Sequence, residues 1–312
     1  MKAIQVNRYG NINDVVTTSD IAKPQITAGS VLVQVEAASI NPLDNILRAG
    51  YMKEMMPMSF PYVMGSDGAG IITEVGEGVE GLSVGDEVYF RPGFDEAAVF
   101  AQYQRLSAGS VALKPASLSL LESAALPQAA LTAYQALLAG GKVEGSKILI
   151  HGGAGAVGSV AIQIAKILGA REIISTAAAE SAASVKEFGA DTVIDFQTQD
   201  FSELLSDIDI VIDTVGGPVQ EKSIAVTKPG GSVVSLVGVM FADLAAEKDV
   251  SLELMFHQPS AQQLTWIAQQ VDAGKLALQI DSTYAASDIK AALTLVEQGK
   301  ARGKVILDMS RF

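Results

Sequence analysis

Cysteine is absent from the 312 residues, so no disulfide, thiolate nucleophile or cysteine-ligated zinc can form. Histidine occurs only twice, at His151 and His257. A catalytic zinc would need at least three correctly placed N, O or S ligands and an open position. Positive charge is also scarce: 22 Lys and Arg stand against 35 Asp and Glu, a net charge of −13. That balance argues against nucleic acid or an anionic membrane surface as a partner. No apolar run approaches the ~18 residues of a membrane span. Met1–Val6 reads as the start of a strand and not as the apolar core of a signal peptide. A soluble, cytoplasmic protein is expected. With 49% hydrophobic and 18% charged residues, the chain can bury an ample core, and its length suits two domains.

What is present is glycine at one informative place. The apolar run Ile148–Ile150 reads as a buried strand that breaks into His151-Gly152-Gly153-Ala154-Gly155-Ala156-Val157-Gly158. After it, Val157, Val160, Ile164 and Ile167 recur at helical spacing, and Gly169 can stop the helix. Gly153, Gly155 and Gly158 fit G-x-G-x-x-G. Side chains there would block the tight turn, the approach of backbone N–H groups to a pyrophosphate, or close helix–strand packing. Any tight strand–helix turn uses glycine, so the triplet alone is weak; the strand before it and the helix after it give it meaning.

The two halves of the chain differ in rhythm. Residues 1 to about 120 hold short strands, clearest at 31–37, 70–76 and 87–90, punctuated by Gly76-Glu77-Gly78 and Gly85-Asp86. From about 121, strands expected at 147–151, 172–176, 192–195, 209–213, 232–237 and 251–256 alternate with helices, the pattern of a parallel sheet covered on both faces. The tail predicts a helix at 260–273, a strand at 278–284, a helix at 287–298 with Ser287 as N-cap and Gly299 as C-cap, and a strand at 303–307. The simplest architecture is α/β: a β-rich domain of residues 1–121 and 258–312, interrupted by a doubly wound Rossmann domain of residues 122–257.

Several blocks in this order resemble the medium-chain dehydrogenase/reductase superfamily, and within it the zinc-free quinone oxidoreductase and enone reductase branch that includes zeta-crystallin. They are Ser39–Asp44, Gly65–Gly70 through Gly76, Gly85–Val88, Ala124–Pro127 with Leu131–Leu137, the glycine loop, Lys186–Asp191, Asp213–Gly217 and Ala301–Val305. The resemblance implies a GroES-like β-rich catalytic domain beside the Rossmann domain. The family's zinc enzymes carry metal-binding cysteine, histidine and cysteine where this chain has Asn41, Ser66 and Gln128. Neither His151 nor His257 lies in those blocks, and the cysteine-rich structural-zinc lobe is missing. No metal is expected. Without a Lewis acid to polarise a simple ketone, the acceptors that remain are quinones and α,β-unsaturated carbonyls. The protein would hold such an acceptor over a nicotinamide and meet its developing enolate with hydrogen bonds.

Position by position, the resemblance places Asn41, Asp44, Tyr51 and Thr132 at the catalytic site. Asn41 either bonds a cofactor or substrate oxygen or closes an Asx-turn before Pro42. Tyr51 is a pocket donor or an ordinary loop aromatic. Thr132 contacts the nicotinamide or its ribose, or else bonds a helix carbonyl. Gln128 reaches the site or fills space, and Asp67 reads more readily as structural, paired with local backbone N–H groups. The cofactor set is Asn41, Thr132, Gly153, Gly155, Ala156, Val157, Gly158, Ser175, Thr176, Val215, Gly216, Gly238 and Lys304, the last reaching a cofactor phosphate or ribose, or lying at a solvated strand end. No residue stands out as a general acid. An NAD-selective fold ends its second strand in Asp or Glu. Here Ser175 and Thr176 leave room for a 2′-phosphate, which points to NADPH, although no lysine or arginine follows directly and Glu180 lies nearby. The expected protein is an NADPH-dependent quinone or enone reductase, a homodimer by family habit; the alternative is an NADPH-binding protein with little catalysis.

Overall fold

The computed structural model describes residues 1–312. The chain forms two compact units: Met1–Gln128 with Gln258–Gly274 and Leu278–Phe312, and Ala129–His257 with Lys275–Ala277. The first unit runs to Gln128 because the short helix Leu120–Ser123 packs on strands of its sheet.

The first unit is built on a seven-stranded sheet. Its longest strand, Ser30–Ile40, is buried along nearly its whole length, which suits its run of Val and Leu with few polar breaks. It pairs antiparallel with Gly68–Val75, Tyr103–Ser107 and the C-terminal strand Lys304–Asp308. Gly68–Val75 pairs in turn with Glu87–Phe90. Val31, Val33, Val35, Ile40, Ile72, Phe90, Phe100 and Leu307 belong to one buried core. The helix expected at 287–298 starts later. A 3-10 turn, Ala286–Asp288, precedes Ile289–Glu297, and Asp288 rather than Ser287 sits at the N-cap, without a side-chain bond. The turn buries Ala286 in the core, which the capping pattern could not reveal.

The second unit holds six strands: β1 (Lys147–His151), β2 (Glu172–Ala177), β3 (Thr192–Asp195), β4 (Ile208–Asp213), β5 (Thr227–Ser235) and β6 (Ser251–Leu254). All pairings are parallel, and the order is β3-β2-β1-β4-β5-β6, the doubly wound order of dinucleotide-binding sheets. Leu149, Ile174, Val211 and Val233 share its core. Strand β5 begins five residues before the expected 232, since Thr227 already pairs with Ile208 across a register irregularity. The Pro229-Gly230 break hides that start in the sequence. Strand β6 ends at Leu254, two residues short of expectation.

Strand β1 leads through the glycine loop into helix α1 (Ala156–Ile167). The crossing is close. A Cβ on Gly158 would stand 2.2 Å from the Gly152 carbonyl oxygen, and one on Gly153 would stand 2.1 Å from Ser175 Oγ. Both distances are far inside van der Waals contact, so the loop in this form admits only glycine at either place. Helix α1 is buried from Gly158 to Ala165, as a helix packed against a parallel sheet requires.

Candidate functional site

Strand register explains how four charged or amide side chains from distant parts of the sequence meet in the first unit. Ile40 pairs with Val305, so Asn41 emerges beside Lys304. Gly68 pairs with Ala38 on one side and with Phe90 on the other. Asp67 and Arg91 therefore leave the sheet at that same end. Asn41 also begins the helix Pro42–Ala49, with Pro42 at its first position and Gly50 closing it in left-handed conformation at φ 84°.

Asp67 is wholly buried. Its Oδ1 accepts from Ser39 Oγ at 2.6 Å and Asn41 Nδ2 at 2.8 Å, and its Oδ2 accepts from the Gln128 backbone N–H at 2.9 Å. Lys304 Nζ lies 4.0 Å from Asp67 Oδ2 and donates to Asn41 Oδ1 at 2.7 Å. Asn41 Nδ2 also reaches Ser66 Oγ at 3.3 Å. The Asn41 amide is thus held at both ends, by the ammonium on its oxygen and by the carboxylate on its nitrogen. Arg91 Nε donates to Gln128 Oε1 at 3.0 Å, and its guanidinium lies over the Phe94 ring. Asn41 and Gln128 bond Asp67 within this network, and Ser66 bonds Asn41; no group of three His, Cys, Asp or Glu side chains able to hold a metal ion is found.

Asp44 differs from Asp67. Its Oδ2 accepts from the Asn41 backbone N–H at 2.7 Å. Burial pushes its carboxyl up to about 7, against the pull of that hydrogen bond, with the Asp67 charge adding to the rise and Lys304 and Arg91 opposing it. Burial likewise raises the Tyr62 phenol to about 12, helped by Asp44, and lowers Arg91 to about 10 despite Asp67. Lys304 is lowered by burial, with Asp67 and Asp44 opposing.

In the second unit, the loop after β1 is tied to β2. Gly153 N–H donates to the Thr176 carbonyl at 3.0 Å, and Gly152 N–H to Thr176 Oγ1 at 3.3 Å. Gly155, as N-cap, is exposed, and the first N–H groups of α1 lack intrahelical acceptors by helix geometry. With that partial positive charge, the loop fits a pyrophosphate. Asp213, buried at the end of β4, accepts from the N–H groups of Val215 and Gly216, from Gln220 Nε2 and from Ser235 Oγ. Gln220 also donates to the Gly238 carbonyl. One carboxylate so shapes the loops after β4 and β5, where Val215, Val237, Val239 and Met240 stand exposed.

The structure brings Asn41, Asp44 and Lys304 together, and it brings Gly153, Gly155, Ala156, Val157, Gly158 and Thr176 together. Lys304 is 4% exposed, so it is not a solvated strand end; its ammonium donates to Asn41 Oδ1 and lies beside Asp67. Ser175 lies at the end of β2, under the glycine loop. It is fully buried, and its hydroxyl donates to the Ile150 carbonyl beneath Gly153, so it supports the loop from below. Tyr51 stands apart, 84% exposed on the turn after the helix. Thr132 Oγ1 shares a 3.0 Å hydrogen bond with His257 Nδ1, a partner that sequence distance concealed. His151 bonds Thr176 Oγ1 and Ser223 Oγ, and burial lowers it to about 4. Arg91, Ser39 and Asp213 were missed as well; the strand end at Phe90 was the one signal for Arg91.

Removing the Asp67 charge leaves two buried cations short of an anion. Asp67→Asn is expected to cost about 3–5 kcal/mol of stability, read as a lowered urea midpoint. A midpoint within error of the parent would mean that the cations are met by other groups.

Two family models match the chain: residues 27–116 fit the alcohol dehydrogenase GroES-like domain, and residues 188–307 fit the zinc-binding dehydrogenase domain. A 2-methylene-furan-3-one reductase of Solanum lycopersicum is 35% identical over 98% of this chain and 79% of its own length. An NADPH-dependent alkenal/one oxidoreductase from the chloroplast of Arabidopsis thaliana is 31% identical over the same shares. The structure of the quinone oxidoreductase from Coxiella burnetii superposes with a TM-score of 0.89 at 33% identity, covering 99% of both chains. The glycine-loop sheet, the GroES-like sheet and these relatives agree: the chain belongs to the medium-chain dehydrogenase/reductase superfamily, among its quinone and enone oxidoreductases.

Proposed function

We propose that the protein is an NADPH-dependent reductase that delivers hydride to a quinone or an α,β-unsaturated carbonyl without zinc. The observation that carries this reading is the bonded set beside Asp67, in which the buried Asn41 amide donates to Asp67 and to Ser66 Oγ and the Gln128 backbone N–H donates to Asp67, at positions that the family resemblance aligns with the metal ligands of its zinc enzymes. NADPH, when bound, supplies the hydride. The chain's own residues do the rest. The glycine loop and the N-terminus of α1 take the pyrophosphate, and the strand after them, β2, runs out into Ala177-Ala178-Ala179 with no carboxylate before Glu180, which leaves a 2′-phosphate unopposed at the strand end. Val215, Val237, Val239 and Met240, at the carboxyl ends of β4 and β5, give an apolar wall of the kind a nicotinamide ring and a flat acceptor pack against. Thr132, fixed by His257, offers a hydroxyl to the cofactor. Hydride addition to an enone or quinone moves negative charge onto oxygen, which hydrogen-bond donors can stabilise.

We further assign a homodimer. Strand β6 is a sheet edge with half-buried Leu252 and Leu254, and an unpaired edge of this kind is a template for a second chain. Sedimentation at twice the 32.5 kDa chain mass is expected; sedimentation at the single mass would refute the assignment.

The functional reading is tested by mixing protein, NADPH and a panel of quinones and enals while following nicotinamide absorbance. Loss of absorbance with at least one acceptor class, faster with NADPH than with NADH, is expected. Tight NADPH binding with no acceptor reduced would make the protein a binding protein and overturn the reading.

A further inference from the structure

His151 is the last residue of β1, and its side chain is buried within the second unit with both ring nitrogens in hydrogen bonds. The groups around it fix the direction of each bond. Ser223 Oγ lies 2.7 Å from the Val219 carbonyl, which can only accept, so the single hydroxyl proton of Ser223 points there. The Ser223 oxygen, 2.9 Å from His151 Nε2, then receives a proton from the ring. Burial lowers the imidazole to about 4, against the attraction of Asp213, and keeps it neutral at ordinary pH. A neutral imidazole carries one N–H, so Nδ1 is bare and accepts from the Thr176 hydroxyl at 3.0 Å. With its proton so placed, Thr176 Oγ1 turns its lone pairs to the Gly152 N–H at 3.3 Å.

This chain of donors ends on the peptide that opens the glycine loop. The His151–Gly152 peptide is held at its N–H by Thr176 Oγ1 and at its carbonyl by Thr214 Oγ1, the latter at 2.9 Å. Beyond it Gly152 turns left-handed at φ 69°, and its own carbonyl accepts from the Gly155 N–H at 2.9 Å. Gly155 is the N-cap of α1. The orientation of one peptide therefore decides where the first N–H groups of α1 point, and those are the groups that meet a pyrophosphate. Without an acceptor at Nδ1, the buried Thr176 hydroxyl would have to turn to another oxygen and would leave the Gly152 N–H less well met. At its other end the chain rests on Val219, in the first turn of the helix Pro218–Val226.

We propose that His151 is a positioning residue for NADPH: as the Nε2–H tautomer it takes the Thr176 proton and so holds the glycine loop in the shape that binds the pyrophosphate. His151 touches no reacting atom, and it acts through Thr176 and the Gly152 peptide. A histidine that only filled the core would be replaced without loss by another ring. Phe201 packs edge-on against this one, with centroids 4.7 Å apart, and that contact asks nothing of the nitrogens. The inference rests on the reading that this loop binds NADPH, and it deepens that reading by naming what keeps the loop in shape before the cofactor arrives.

The test is the dissociation constant of NADPH, titrated by nicotinamide fluorescence on the whole protein, set beside the urea midpoint of each variant. His151→Phe keeps a ring against Phe201 and removes both nitrogens; it is expected to bind NADPH about tenfold more weakly than the parent. His151→Asn sets an oxygen near the place of Nδ1 and leaves a gap where the rest of the ring stood. It is expected to lower the urea midpoint, yet to bind NADPH within about threefold of the parent, because the Thr176 proton keeps its acceptor. Thr176→Val is expected to match His151→Phe, and the double variant to lose no more than either, since both break one chain of bonds. Parent-like NADPH affinity in His151→Phe overturns the proposal. Affinities that follow stability, with His151→Asn the weaker binder, overturn it too, and so do losses that add in the double variant. If His151→Phe does not fold, nitrogen-15 NMR of the parent, which has two histidines, decides: a bare Nδ1 and a protonated Nε2 at His151 support the proposal, and a proton on Nδ1 overturns it. A parent that binds no NADPH defeats the cofactor reading itself, a result distinct from all of these.

Discussion

A buried carboxylate that cannot reach water must have its charge met by the protein, and in the first unit that requirement falls on Asp67. The antiparallel register delivers what it needs. Ser39 and Asn41 come from the end of the longest strand, Lys304 from the start of the last strand, and Gln128 offers a backbone N–H. The contacts with Ser39, Asn41 and Gln128 cross 28, 26 and 61 residues, and the one with Lys304 joins segments more than two hundred residues apart in the chain. Such an ion pair adds little net stability, since desolvation offsets attraction, but its loss is costly because the remaining charges have no alternative partners. Lys304 is also what fixes the Asn41 amide, so the orientation of the loop that starts the helix Pro42–Ala49 depends on the same carboxylate.

The second unit solves a different problem with a similar device. A dinucleotide needs backbone N–H groups brought close, and glycine at 153 and 158 makes that approach possible by leaving space that the Ser175 hydroxyl and the Gly152 carbonyl already crowd. At the far ends of β4 and β5, Asp213 gathers four donors and sets the shape of two loops at once. Both units thus use a buried carboxylate at strand ends to hold irregular backbone where regular hydrogen bonding has stopped.

Much of this was legible in the sequence. The alternation of strands and helices after residue 121 and the glycine loop led to the parallel sheet, with β1 and β3 at their expected bounds and the others within a few residues. What was not legible depended on tertiary register. Nothing near Lys304 in the chain says that it is buried, since a lysine before an apolar strand usually sits at its solvated end. Nothing near His257 says that it meets Thr132. Nor does anything near Ser175 say that it is fully buried, with its hydroxyl on the Ile150 carbonyl under the glycine loop. Asp67 was expected to be structural and paired with nearby backbone; it is structural, but its partners come mostly from other strands.

The proposed reduction uses NADPH and the chain's own side chains and backbone, without a metal. The most direct measurement is the rate of NADPH-dependent enal reduction by protein exhaustively dialysed against a zinc chelator, set beside its metal content by mass spectrometry. The account predicts an undiminished rate in protein that carries essentially no bound metal. A rate that falls with the chelated metal and returns on adding zinc would contradict it.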